Sequence, residues 1–170
     1  KISYIQSLIS VGFDIIDFGS FVSERAIPQM KDSAKVLDGL ELNSTGPKLL
    51  SIVANLRGAK KACEFSQIDF LGYPFSISEN FQMRNTHKTI TESEEILKDI
   101  LEIAKQNHKK VVVYLSMAFG NPYGDPWDVD IVAGWTERLH KMGVQILSLS
   151  DTMSGGQSNA SQLRARPTAR

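Results

Sequence analysis

Cysteine is nearly absent from the chain. Cys63 stands alone among 170 residues, which excludes an internal disulfide and a Cys-rich zinc site. It falls in a helical stretch and reads as a small core residue rather than a reactive thiol. Histidine is also scarce. His87, His108 and His140 lie in a polar loop or near helix ends, and no two have metal-ligand spacing. All three read as solvated or capping residues. Net charge is missing too, with 19 basic and 19 acidic residues. A balanced chain has no electrostatic footprint for nucleic acid or for an anionic membrane. No apolar run approaches the roughly 18 residues of a membrane span, and no signal or transit peptide is visible. None of the strong glycine signatures that cradle phosphate occurs. Ser20 and Ser116 have no evident histidine partner, which disfavours a serine nucleophile.

What the chain does have is alternation of strands and helices. Residues 13–18, 48–54, 68–73, 111–115 and 144–149 are short apolar runs, five expected strands. They are continuously apolar, as strands covered on both faces are, which argues for a parallel sheet. Helices are expected between them. Asp32 opens one, residues 58–65 form the next, and Thr91-Glu92-Ser93-Glu94 fits a capping box. Asp125-Pro126 reads as a further helix start, and Gly143 as its end. In that helix Trp135 sits on the inner stripe, so it reads as core. Glu94 and Lys98 are spaced for a surface pair.

Polar residues gather after the carboxyl ends of the strands, the edge where parallel sheets and barrels collect active sites. Two are acids. Asp17 follows Ile15 and Ile16 and precedes the loop Gly19 to Met30. Asp151 follows the last strand. An acid among apolar neighbours must be hydrogen-bonded, paired or placed near a metal. Two such acids could divide proton or metal work if their surroundings separate their pKa values. A turn or cap role accounts for either one equally well.

Ser20-Phe21-Val22-Ser23 followed by Pro28-Gln29-Met30 resembles the signature loop of 3-hydroxy-3-methylglutaryl-CoA lyases. Further segments resemble that family in the same order: Ala54-Asn55-Leu56-Arg57-Gly58, Ser76-Ile77-Ser78-Glu79, Tyr114-Leu115-Ser116 with Gly120-Asn121-Pro122-Tyr123, and Ser148-Leu149-Ser150-Asp151-Thr152. The resemblance implies a (β/α)8 TIM barrel, of which about five β/α units are present here. It implies cleavage of hydroxymethylglutaryl-CoA to acetyl-CoA and acetoacetate, with Mg2+ or Mn2+ as the divalent metal of the complete enzyme. By motif match, Asp17 and Asp151 take catalytic places, and Ser20, Ser78, Tyr114, Ser116 and Thr152 take substrate-side places. Asp17 stands where Glu is usual, and Ser150 where Gly is usual.

The family's Arg-Asp pair, His-x-His metal ligands and loop Cys find no match, so no metal ligand is expected within this chain. Residues 1–154 are expected to form a partial barrel domain, an internal piece of a lyase. Residues 155–170 are expected to be a tail. Such a piece should bind metal poorly and lack activity by itself. The implied partner is an acyl-CoA substrate, with a homodimer as an allowed assembly and neither nucleic acid nor membrane as a partner. The implied compartment is the cytoplasm, or the mitochondrial matrix if a preceding segment carries a transit peptide. A Claisen-type acyltransferase or aldolase of the same superfamily, and a non-catalytic binding module, are the alternative readings.

Overall fold

The computed structural model describes residues 1–153, so the expected tail falls outside the described residues. Five strands form one sheet in sequence order: β1 (Ile15–Ser20), β2 (Lys48–Ile52), β3 (Ile68–Ser76), β4 (Lys110–Ser116) and β5 (Ile146–Ser150). β1 pairs with β2, and β2 with β3, in parallel. Parallel neighbours need long crossovers. Helices fill them: α2 (Ser33–Asp38), α3 (Leu56–Cys63), α4 (Glu79–Thr86), α5 (Ile90–Gln106) and α6 (Val129–Lys141), with α1 (Ile2–Ile9) ahead of β1. The described residues divide into two compact units, residues 1–74 with 95–112, and residues 75–94 with 113–153.

In the first unit the core is aliphatic, with Leu37, Leu49, Leu71, Leu97 and Ile100 at most 1% exposed. The β2–β3 ladder skips Asp69. The reason is local: Asp69 Oδ2 accepts the Leu49 N–H at 3.1 Å, and the carboxylate also pairs with Lys48. Lys109 fastens the turn between α3 and β3, its Nζ donating to the carbonyls of Phe65 and Ile68 at 2.8 and 2.6 Å. Helix α3 starts at Leu56, two residues earlier than expected, because the Asn55 side chain accepts from the Gly58 N–H at 2.9 Å. Gly58 lets the chain pass closely, since a Cβ there would lie 2.2 Å from the Phe21 carbonyl oxygen. Asp32 precedes α2 but makes no side-chain cap; it pairs with Lys1 instead. Cys63 is half-buried, and burial pushes its thiol above its ordinary pKa, which keeps it protonated.

The second unit departs further from expectation. β3 runs on to Ser76, and residues 79–86 form α4 where the sequence reads as loop. Ser78 makes that helix, accepting from the Phe81 N–H at 3.1 Å. The capping box lies two residues before the expected one. Thr89 Oγ1 accepts from the Glu92 N–H at 3.0 Å, and Glu92 accepts from the Thr89 N–H at 2.8 Å. Helix α6 opens at Asp128, which accepts from the Ile131 N–H at 2.9 Å, and not at Asp125. Glu94 is 5% exposed and accepts from Nε and Nη2 of Arg138, while Lys98 pairs with Glu95. Trp135 packs on Phe75 and beneath Arg138, as its place on the inner stripe implies. Gly143 adopts φ +103° just after α6, a conformation that favours glycine.

Replacing Gly58 by Ala tests the close approach. Helix propensity alone would favour Ala by ~1 kcal/mol. Overpacking against a backbone oxygen should reverse the sign, to a net loss of about 1–3 kcal/mol. Urea unfolding of G58A against the parent chain measures this.

Candidate functional site

Asp17 is the third residue of β1, within the strand rather than at its end. The ladder to β2 pairs Asp17 with Leu50 and then Gly19 with Ser51, so Phe18 is skipped. A bulge of this kind bends the strand and re-aims its side chains. Ile16 and Phe18 are buried while Asp17 between them is exposed, and Gly19 and Ser20 are buried after the bulge. Asp17 therefore lies on the wall of a hollow of about 320 Å³, together with Ser20, Val22, Ile27, Met30 and Ile52. Apolar side chains dominate that wall. Loss of hydration raises the Asp17 carboxyl to about 6, opposed by a hydrogen bond from the Gly19 backbone. The residue keeps part of its surface in water, yet its carboxyl is crowded enough to titrate near pH 6.

Ser20 ends β1 and is 7% exposed. Its N–H donates to Ser33 Oγ at 3.3 Å, and Ser33 in turn donates to the Met30 carbonyl at 2.8 Å. Its own hydroxyl is buried with no partner among the described residues. An unpaired buried hydroxyl is costly, and native proteins rarely keep one without a use. Asp17 and Ser20 are thus brought to one hollow. Ser33, which braces the strand end, gave no signal in the sequence beyond its place after a helix-opening Asp.

In the second unit, Ser78 is fully buried and its hydroxyl is committed to structure. It donates to Asp125 Oδ2 while capping α4. Asp125 also accepts from Asn80, from the N–H at 3.0 Å and the side chain at 2.6 Å. These bonds, that from Ser78 foremost, hold the Asp125 carboxyl below its ordinary pKa. Asn121 braces the same loop, accepting from the N–H groups of Tyr123 and Asp125. The role of Asp125 was not legible, since Asp-Pro before a helix reads as a cap. Tyr114 is half-buried within β4. Ser116 ends that strand, 6% exposed, and its carbonyl accepts from the Ile77 N–H at 3.3 Å. Met117 follows at φ 62°, a strained conformation for a non-glycine residue. Its N–H donates to Thr152 Oγ1 at 3.4 Å, and the Ala118 N–H donates to the Ser150 carbonyl at 3.4 Å. So the exits of β4 and β5 are stitched together around Asp151, which is exposed and lies between Ser150 and Thr152.

Strands in sequence order, with β1–β2 and β2–β3 parallel and helices in the crossovers, have the arrangement of a β/α-barrel protein. No family model matches the chain. Among curated proteins, the 3-hydroxy-3-isohexenylglutaryl-CoA/hydroxy-methylglutaryl-CoA lyase of Pseudomonas aeruginosa is 34% identical over 162 residues, 95% of this chain and 53% of its own length. The crystal structure of hydroxymethylglutaryl-CoA lyase from Pseudomonas aeruginosa superposes with a TM-score of 0.86 at 33% identity, over 95% of this chain and 53% of that one. An Acinetobacter baumannii HMG-CoA lyase, solved with coenzyme A and 3-methylmalate, gives 0.81 at 28% identity, over 89% of this chain and 49% of that one. The fold is an incomplete (β/α)8 barrel. The chain is a homologue of the hydroxymethylglutaryl-CoA lyases along nearly its whole length, and it spans about half the length of the relatives it matches.

Two variants test the electrostatics. The Asp17 carboxyl is raised from 3.8 to about 6, so ionising it works against the fold. Stability from the neutral form is complete below pH 3.8 and is lost as the pH rises through about 6. Asp17→Asn should therefore melt higher than the parent at pH 8 and at the same temperature near pH 3.5, by thermal scans at both. Asp125 has the opposite sign. Asp125→Ala should lose about 1–3 kcal/mol at pH 7, and the difference should shrink as the pH falls below the ordinary carboxylate range, in urea titrations across pH.

Proposed function

We propose that this chain carries part of the active site of a hydroxymethylglutaryl-CoA lyase, an oxo-acid lyase that splits a 3-hydroxy-3-methylglutaryl thioester into acetyl-CoA and acetoacetate. The observation that carries the reading is Asp17, a carboxyl with a pKa near 6 in an apolar hollow at a bulged strand, in a chain 34% identical to a lyase of this kind. A carboxyl poised there can take and return a proton at working pH. In the reaction a base removes the proton of the tertiary hydroxyl, the carbon–carbon bond breaks, and the acetyl-CoA enolate is reprotonated. Asp17 is assigned the proton at its carboxylate. Asp151 is assigned the second acid, and Ser20, Tyr114, Ser116 and Thr152 the substrate side. Ser78 acts one step back, holding Asp125 and the start of α4.

The family resemblance implies a divalent ion, whose chemistry would be Lewis-acid polarisation of substrate oxygens. The described residues contain no group of three or more His, Cys, Asp or Glu side chains that could hold a metal ion. They do not fit a metal site by themselves, and the ligand set belongs elsewhere in a complete lyase. The acyl group is open to variation, since the Pseudomonas relative is named for two glutaryl thioesters. No described helix is long and apolar enough to cross a membrane.

The test is acetoacetate release from hydroxymethylglutaryl-CoA with Mg2+. The 170-residue chain alone should release none. A chimera in which it replaces the matching half of the Pseudomonas lyase should release acetoacetate. Asp17→Asn in that chimera should lower kcat by about 10²–10⁴-fold, and kcat/KM of the parent chimera should rise with pH through about 6. A folded D17N chimera with undiminished kcat overturns the assignment. Turnover of a 2-oxo acid with acetyl-CoA in its place moves the chain to the Claisen-type acyltransferases.

A further inference from the structure

The second unit buries a side-chain amide that the proposed reaction leaves without a task. Gln82, on α4, is 1% exposed. An amide so deeply buried is costly unless its oxygen and nitrogen are both partnered. Its Oε1 accepts the Ser76 N–H at 2.8 Å, and its Nε2 donates to Ser93 Oγ at 2.7 Å and to Thr86 Oγ1 at 3.0 Å. Thr86 Oγ1 donates to the Gln82 carbonyl at 2.9 Å, so its hydrogen is spent and it meets Nε2 as an acceptor. One side chain thus ties the last residue of β3 to α4 and to α5.

Ser76 is where β3 leaves the sheet for the candidate site, and from there the ties continue. Ser76 Oγ accepts the Ser78 N–H at 3.0 Å, and Ser78 holds Asp125. The Ile77 N–H donates to the Ser116 carbonyl at 3.3 Å, which joins the exit of β3 to that of β4. Met117 and Ala118 then donate to Thr152 Oγ1 and to the Ser150 carbonyl, both at 3.4 Å, on either side of Asp151. Met117 sits at φ 62°, a conformation that persists only where its surroundings impose it.

We propose that Gln82 is a positioning residue: by fixing the end of β3 it sets, through the Ile77–Ser116 bond, the exits of β4 and β5 and so the place of Asp151. The inference rests on the lyase reading for the reaction that Asp151 serves. A neutral amide suits the task, since it grips a backbone N–H in a dry interior without bringing in a charge that would disturb a nearby acid. The two ends of the amide divide the work. Oε1 holds the strand exit, and the bond from Nε2 to Ser93 fastens α4 to α5.

The test compares Gln82→Met, which removes both ends of the amide, with Ser93→Ala, which removes only a partner of Nε2. Amide hydrogen exchange in the intact 170-residue chain, followed by NMR, is the first readout. In Q82M the amides of Ser76, Ile77, Met117 and Ala118 should exchange at least about tenfold faster than in the parent. In S93A these four should keep the parent's rates, although the chain as a whole is less stable in urea. Gln82→Glu, which keeps an acceptor for the Ser76 N–H, should restore slow exchange. If Q82M does not fold, Gln82→Asn carries the same expectation, being a polar side chain one methylene too short to reach Ser76. The second readout is turnover in the Pseudomonas lyase chimera. Q82M should lower kcat by about 10–10²-fold with KM unchanged, and S93A should leave both as they were. Unchanged exchange at Met117 and Ala118 in Q82M overturns the proposal, as does S93A speeding them equally, or a Q82M chimera with undiminished kcat. An inactive parent chimera sinks the lyase reading instead, and the exchange pattern still decides whether Gln82 governs the exits of β4 and β5.

Discussion

One residue of slack in β1 governs the candidate site. Regular alternation would carry Asp17, Phe18 and Gly19 past β2 one for one, with each side chain fixed to its face. The ladder instead lets Phe18 go unpaired between Asp17 and Gly19. Phe18 then fills the core while Asp17 stays at the hollow, and Gly19 and Ser20 still pair with β2 beyond it. Gly19 suits the tight passage, since a Cβ there would come within 3.0 Å of Ser33 Oγ. The serine that braces the strand end thus also sets how closely the chain may pass.

Electrostatics follow from that geometry rather than from charged neighbours. Among the described residues no cation holds the Asp17 carboxyl down, and lost hydration raises it. Asp125 shows the reverse case, where hydrogen bonds from Ser78 and Asn80 favour the anion. The two acids have the same chemistry and opposite shifts. One lies against apolar wall and holds a proton easily; the other is saturated with donors and serves as a fastening.

The order of elements was legible because parallel strands buried on both faces write themselves as apolar runs, and each run here became a strand. The acid-bearing stretch was legible for the same reason, as a lone Asp in such a run. What failed was local. Helix α4 carries its apolar residues with little periodicity, so only the Ser78 cap marks it. Thr89 and Thr91 each stand three residues before a glutamate, and sequence spacing alone does not choose between them. The hydroxyl-to-amide bonds settle it for Thr89 and Glu92. Asp125 reads as a cap because its long-range partners, Ser78 and Asn80, lie more than forty positions away.

Lys109 has a consequence of another kind. Its ammonium is held by two carbonyl oxygens at the junction of α3 and β3, much as a small cation would be. A lysine whose donors are so engaged turns its amine to the fold and away from water, so amine-directed acylating reagents should pass it over while they modify its solvated neighbours. Acylation there would take away both the charge and two of its protons, leaving the carbonyls of Phe65 and Ile68 facing an amide in place of a cation. The turn is thus a spot where a small covalent mark would be read as a folding defect.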